Sequence, residues 1–165
     1  MAGRRRRSYE SGHTPKFLVL LDGSEECDRA IYFAARRAVR TNSGLVILTV
    51  VADAGFHEWL GVGDMIREEA DQESEAMLSR AAERCRAIAG LQPELVLRRG
   101  AKAEQIFELI QEDEDISFLV LAASASSEGP GPLVSTIVAK AAGTFPVPIV
   151  IVPEQMSEDD IDAIT

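Results

Sequence analysis

Short unbroken apolar runs alternate along the chain with stretches whose apolar positions recur every three or four residues. The first run, Phe17-Leu18-Val19-Leu20-Leu21, stops at Asp22-Gly23-Ser24, and others lie at 45–51, 94–98, 116–121 and, beside Pro146 and Pro148, at 147–152. Nearly all are apolar at every position, which marks strands buried on both faces; an alternating pattern would mean one wet face. Between the first two runs, Ser24 is placed to cap a helix whose first turn is acidic (Glu25, Glu26, Asp28). Ala30, Phe33, Ala34 and Ala38 line one face of it, Arg36, Arg37 and Arg40 lie near its end, and Asn42-Ser43-Gly44 stops it. A long helix is predicted over 64–89, ended by Gly90, and shorter ones over 103–112 and 133–142.

The order βαβαβαβαβ predicts an α/β fold: an open doubly wound parallel sheet of five strands, helices on both faces, with right-handed crossovers. Residues 52–63 read as a loop holding Phe56, His57 and Trp59, the tryptophan expected to pack on the long helix. After Pro153, Ser157-Glu158-Asp159-Asp160 precedes Ile161 and Ile164, so the end is either a short docked helix or a frayed tail.

At 165 residues, 46% hydrophobic and 27% charged, the chain suits one globular domain large enough to bury a core without a metal or disulfide staple. No apolar run approaches the roughly 20 residues of a membrane helix, so no membrane insertion is expected. The net charge of −10 hides a division: residues 1–16, with Arg4, Arg5, Arg6, Arg7 and Lys16 against Glu10, carry +4, and the remainder −14. So acidic a body repels phosphate backbones, which argues against nucleic-acid partners. Residues 1–15 are expected to be a solvated, disordered basic tail; no apolar stretch follows the arginines, as a signal peptide would require. Cys27 and Cys85 have no CxxC spacing and read as small, partly buried apolar residues in a reducing, cytoplasmic setting.

In a sheet of this kind ligands bind beyond the carboxyl ends of the strands, which are reached by Asp22-Gly23-Ser24, Val51-Ala52-Asp53, Arg99-Gly100 and residues 122–135. No GxxxxGK[ST], GxGxxG or GxSxG occurs; Gly61-Val62-Gly63 is followed by Ile66 where a third glycine belongs, and His57 has no ligand-spaced neighbour. Asp22 either meets a ribose hydroxyl or a magnesium-bound water, or orders its own turn. Small residues after the fourth strand let a ligand approach the backbone, and the next helix offers N–H groups, although Pro130 and Pro132 have none. The same segment would serve as a rigid crossover or partner surface.

Three stretches carry a family likeness: Leu18-Val19-Leu20-Leu21-Asp22-Gly23-Ser24, Gly129-Pro130-Gly131-Pro132-Leu133-Val134-Ser135, and Thr144-Phe145-Pro146-Val147-Pro148-Ile149-Val150-Ile151-Val152. On them the chain resembles a universal stress protein of the UspA type over about residues 16–153, leaving 154–165 as a short tail or helix. The resemblance implies an adenine-nucleotide α-hydrolase-like sheet in the order 3-2-1-4-5. It also implies a homodimer in which the last strands meet, and a family whose members either bind ATP or do not. The family's ATP pattern, Gly-x2-Gly-x9-Gly-[Ser/Thr], falls on Ala122, Ala125 and Ser135, and Thr136 keeps the hydroxyl. All three glycines are thus replaced by small residues, whose Cβ narrows backbone approach.

Carried over by position, the resemblance puts backbone groups of Val50 and Val51 beside adenine and Asp22 beside the ribose or magnesium, with Ser24, Ala122 and Ala125 also among the expected nucleotide-binding residues. It turns Gly129, Gly131, Ser135 and Thr136 toward phosphates. It implies a non-enzymatic stress-response regulator acting as a homodimer through unidentified protein partners, with ATP and Mg2+ as the candidate ligand. The alternatives are an ATP-binding switch and a weak ATP hydrolase. Beyond Asp22 the strand edge offers no base, nucleophile or lysine clamp; Arg98, Arg99 and Lys102 are the nearest cations. Val147, Ile149 and Ile151 are the expected dimer contacts, because an uncovered apolar edge strand invites pairing.

Overall fold

Each strand of this molecule serves two layers at once. In the computed structural model, which describes residues 4–53, 63–141 and 143–165, five parallel strands form one sheet. The chain runs β1 (Lys16–Leu20), α1 (Cys27–Arg40), β2 (Gly44–Val51), α2 (Gly63–Ala89) and β3 (Glu94–Arg99). It continues through α3 (Lys102–Glu112), β4 (Ile116–Ala123), α4 (Pro132–Ala141), β5 (Ile149–Pro153) and α5 (Glu158–Ile164). The spatial order is β3-β2-β1-β4-β5. His57 and Trp59 lie outside the described residues.

Successive strand side chains point to opposite faces. Phe17, Val19, Leu45 and Ile47 therefore pack with Ala30, Ala34 and Ala38 of α1 and Leu78 and Cys85 of α2. Leu18, Leu20, Val46 and Leu48 pack with Ile106 and Ile110 of α3 and Val134 and Ile137 of α4. Continuous apolar strands are what two helical layers demand. Register aligns Phe17 with Phe118, and the two rings stack with centroids 5.4 Å apart. No described helix is long and apolar enough to cross a membrane.

Three expectations need correction. First, Ser24 does not cap α1. The helix starts at Cys27 behind Glu26, which is already helical (φ −62°, ψ −23°), and Ser24 turns its hydroxyl to Asp22 instead. Second, residues 4–15 are not a solvated tail. Arg6 donates through Nη1 to the carbonyls of Ile110 and Asp113, and the Arg7 N–H donates to the Glu114 carbonyl at 3.0 Å. Ser8 is 3% exposed and donates to the Asp115 carbonyl at 2.9 Å, while His13 Nδ1 lies 2.6 Å from Asp115. The basic strap is drawn to the acidic run 112–115 and to the unpaired carbonyls at the C-terminus of α3.

Third, Val147 is not part of the open edge. It precedes β5, is 5% exposed and packs in the α3–α4 layer. Ile149 is half-buried against the same layer, whereas Ile151, on the outer strand, is 39% exposed.

The chain's end is a docked helix. Ser157 and Asp160 form a reciprocal capping box, Ile161 is fully buried in the α1–α2 layer, and Tyr32 donates to the Asp162 carboxylate at 3.0 Å. Arg84 joins Asp28 of α1 to Glu158 of α5, at 3.0 and 2.6 Å.

Candidate functional site

Strand order reverses between β1 and β4, and α/β sheets bind ligands at such a switch point. A cavity of about 320 Å³ opens there, with Asp22 from the β1–α1 turn, Cys27 from the start of α1, Lys102 from the start of α3, Ala122 from β4, and Gly131 and Thr136 from the entry of α4. That volume is at the small end of ligand sites.

The first wall is built around one carboxylate. Gly23 adopts φ +84°, a left-handed conformation that folds the chain back over the strand end. Asp22 Oδ1 then accepts the Ser24 N–H at 3.0 Å, the Ser24 hydroxyl and the Cys27 thiol at 3.0 Å. Burial pushes the Asp22 carboxyl up, but these donors and the field of Lys102 outweigh it, so it stays below the ordinary aspartate value of 3.8. Burial, followed by the bond to Asp22, pushes the Cys27 thiol up to about 12. It is a protonated donor rather than a nucleophile.

The second wall is the loop from β4 to α4, and it spends its own donors. The Ser124 N–H goes to the Pro130 carbonyl at 3.2 Å, and the Ala125 N–H to Glu154 Oε2 at 2.7 Å. Ser126 donates to the Ser124 hydroxyl, Glu128 to the Ser126 hydroxyl and Gly129 to the Ser126 carbonyl. Gly129 and Gly131, at φ +108° and +109°, supply the left-handed turns that let the loop fold on itself. Pro130 and Pro132 contribute no N–H. The N–H groups of Ser124, Ala125, Ser126, Glu128 and Gly129 are thus already committed, which leaves Gly131, Leu133 and Val134 at the entry of α4 as the part of this segment that lines the cavity.

Of the residues singled out from the sequence, Asp22, Ala122, Gly131 and Thr136 come together in the cavity wall. Ser24 belongs to a neighbouring depression between α1 and α2. Val50 is buried in the α3–α4 layer, and the Val51 carbonyl already accepts the Gly100 N–H at 3.0 Å. Ala125, Gly129 and Ser135 stand outside the wall. The structure adds Glu26, Cys27 and Lys102 to it. Lys102 was legible as a cation just past β3, but neither Glu26 nor Cys27 carried a signal beyond closeness to Asp22. Among the described residues no group of three or more His, Cys, Asp or Glu side chains is placed to hold a metal.

A family model described as the universal stress protein family matches residues 14–153. No curated protein sequence matches the chain. Among solved structures, the universal stress protein UspA from Lactobacillus plantarum superimposes with a TM-score of 0.71 at 18% identity, over 84% of this chain and 97% of its own. A universal stress protein in complex with cAMP gives 0.60 at 22% identity, over 86% and 98%. The universal stress protein from Archaeoglobus fulgidus in complex with dAMP gives 0.60 at 17%, over 84% and 96%. At such identities the likeness establishes a shared fold.

Proposed function

The chain belongs to the universal stress protein family, and from that premise we propose a non-catalytic regulator that works as a homodimer through partner contacts, with an adenine nucleotide as its modulator. One observation carries the reading: the Asp22 carboxylate, fixed by three donors, stands over a cavity at the sheet's switch point with Lys102 in the same wall. A carboxylate held in that way suits a ribose hydroxyl, or a magnesium ion carried in with a nucleotide. The relatives crystallised with cAMP and dAMP support the ligand class.

The chemistry of the wall favours binding over turnover. Its titratable groups are Asp22, Glu26, Cys27 and Lys102. Asp22 is a weakened base because its donors stabilise the ionised form, and Cys27 keeps its proton. Neither is tuned to move a proton near neutral pH. Dimerisation is supported by β5, an edge strand whose outer side carries the exposed Ile151. Free, buried Cys27 and Cys85 suit a reducing cytoplasm. A ligand between the β1 turn and the β4–α4 loop regulates only if it favours one arrangement of that loop over another, and the loop leads through α4 to the β5 edge.

Nucleotide-stripped protein incubated with Mg-ATP should release phosphate no faster than buffer, and light scattering should give twice 17.9 kDa. Release that scales with protein and disappears in Asp22→Ala would replace this reading with a hydrolase. A monomer at micromolar concentration would remove the homodimer.

A further inference from the structure

We propose that a second cavity, at the amino ends of the strands, is a binding site for a small aromatic carboxylate: a wall of phenyl rings takes the ligand's ring, and Arg37 meets its charge. The proposal is independent of the nucleotide reading, because the switch-point cavity lies at the opposite, carboxyl ends of the strands.

The cavity has a volume of about 240 Å³ and lies between the sheet and the second half of α1. Phe17 of β1, Phe118 of β4 and Val150 of β5 line it from the sheet, and Phe33 lines it from α1. A dry apolar cavity of roughly 150 Å³ already takes benzene, so this one has room for a single ring and a small substituent. The second ring of the wall is there because β4 is irregular. Lys16 pairs with Ile116 but Phe17 with Phe118, which leaves Ser117 as an extra residue in the β1–β4 ladder. Ile116 packs in the α3–α4 layer, whereas Phe118, two residues on, packs in the α1–α2 layer. Strict alternation would put both on one face, so the bulge is what turns Phe118 to the cavity and stacks it on Phe17.

The charge of the wall has one sign. In a protein of net charge −10, Arg37 is the one charged side chain among the described residues lining this cavity. It stands in the last turn of α1, and its guanidinium makes a single long bond, 3.4 Å from Nη1 to the Thr165 carbonyl. The neighbouring hydroxyls have spent their protons. Thr41 donates to the Arg37 carbonyl at 2.8 Å, Ser43 is then the donor to Thr41 at 2.9 Å, and Ser117 donates to the Lys16 carbonyl at 3.1 Å. An anionic substituent therefore docks on the guanidinium, whose planar fork matches a carboxylate. Tyr9 of the strap completes the wall yet is 84% exposed, so it can swing aside without disturbing the core. It precedes residue 14, where the family match begins, so this part of the wall belongs to the chain rather than to the family pattern.

The test is calorimetric titration of the full-length protein with benzoate, benzyl alcohol and acetate, which separate the ring from the charge. Wild type should bind benzoate at one site per chain with a dissociation constant of about 0.1 mM, benzyl alcohol about tenfold more weakly, and acetate not measurably. Arg37→Gln, with its fold checked by thermal melting, should lose about tenfold for benzoate and bind benzyl alcohol as wild type does. Lys102→Gln, in the other cavity, should change neither. If Arg37→Gln does not fold, added salt serves in its place and should weaken benzoate but not benzyl alcohol. No heat from benzoate in the millimolar range, acetate or benzyl alcohol binding as tightly as benzoate, or a loss in Lys102→Gln but not in Arg37→Gln would overturn the proposal. None of these outcomes bears on the nucleotide reading, which AMP titration tests separately.

Discussion

Replacing Asp22 separates what this carboxylate does for its own turn from what it does for a ligand. Asp22→Ala removes the acceptor for the Ser24 N–H, the Ser24 hydroxyl and the Cys27 thiol. Water can replace it at the partly exposed Ser24, but Cys27 is buried and keeps only the Ser24 hydroxyl at 3.3 Å and the distant Leu20 carbonyl at 3.6 Å. Asp22 is itself exposed and a thiol is a weak donor, so losing this partner costs about 1 kcal/mol, and Asp22→Asn, which retains a neutral Oδ1, costs less. Urea unfolding at pH 7 measures both as shifts in midpoint at unchanged slope.

The pH dependence has a definite sign. The folded-state pKa of Asp22 lies below its ordinary 3.8, so its stabilisation is complete above that value and is lost as pH falls through the folded pKa. The gap between wild type and Asp22→Ala should therefore hold from pH 7 to about 5 and close below about 4. In parallel titrations with AMP, Asp22→Asn should fold yet lose roughly tenfold in affinity, as for one hydrogen bond to a charged group. An alanine variant within about 0.5 kcal/mol of wild type would refute the turn argument, a size usual for surface changes without structural consequence. Wild-type affinity in Asp22→Asn would refute the ligand argument.

Ile151→Lys, at an exposed edge position, should turn the dimer into a monomer by light scattering with little change in melting temperature, whereas Val147→Lys, in the core, should abolish cooperative melting. If both variants stay dimeric and stable, the placement of the interface is wrong. Ile161→Ala should cost about 2–5 kcal/mol in chemical denaturation, since the side chain is fully buried in the α1–α2 layer. A loss under 1 kcal/mol would mean that α5 is not part of the cooperative unit. Cys27 and Cys85, with thiols pushed up to about 12 and about 11 by burial, should resist alkylation at pH 8 until urea unfolds the chain. Rapid labelling of folded protein would contradict that.

Local pattern and distant partners divide what the sequence reveals from what it hides. The run from Phe17 to Leu21 and its Asp22-Gly23 ending announce a buried strand and an ordered turn, because both depend on neighbours in the chain. The alternation of strands and helices gives the parallel sheet, but its order came with the family resemblance, since periodicity carries no pairing information. The strap hides its role: Arg6 and Ser8 find their acceptors about a hundred residues away, at Ile110, Asp113 and Asp115, and four arginines in a row otherwise read as solvated. Val147 reads as strand because the apolar run passes through Pro148, yet the proline cannot donate to a ladder and β5 starts at Ile149. Glu154 carries no signal at all; only the folded ladder brings it to Ala125.

The central claim is that the cavity over Asp22 binds an adenine ligand, and calorimetric titration of nucleotide-stripped protein with AMP tests it most directly. The account predicts saturable heat at one site per chain with a dissociation constant in the micromolar range, accompanied by a rise in melting temperature. No heat up to millimolar AMP, with the melting temperature unshifted, would contradict it and leave the fold's partner surfaces as its working parts.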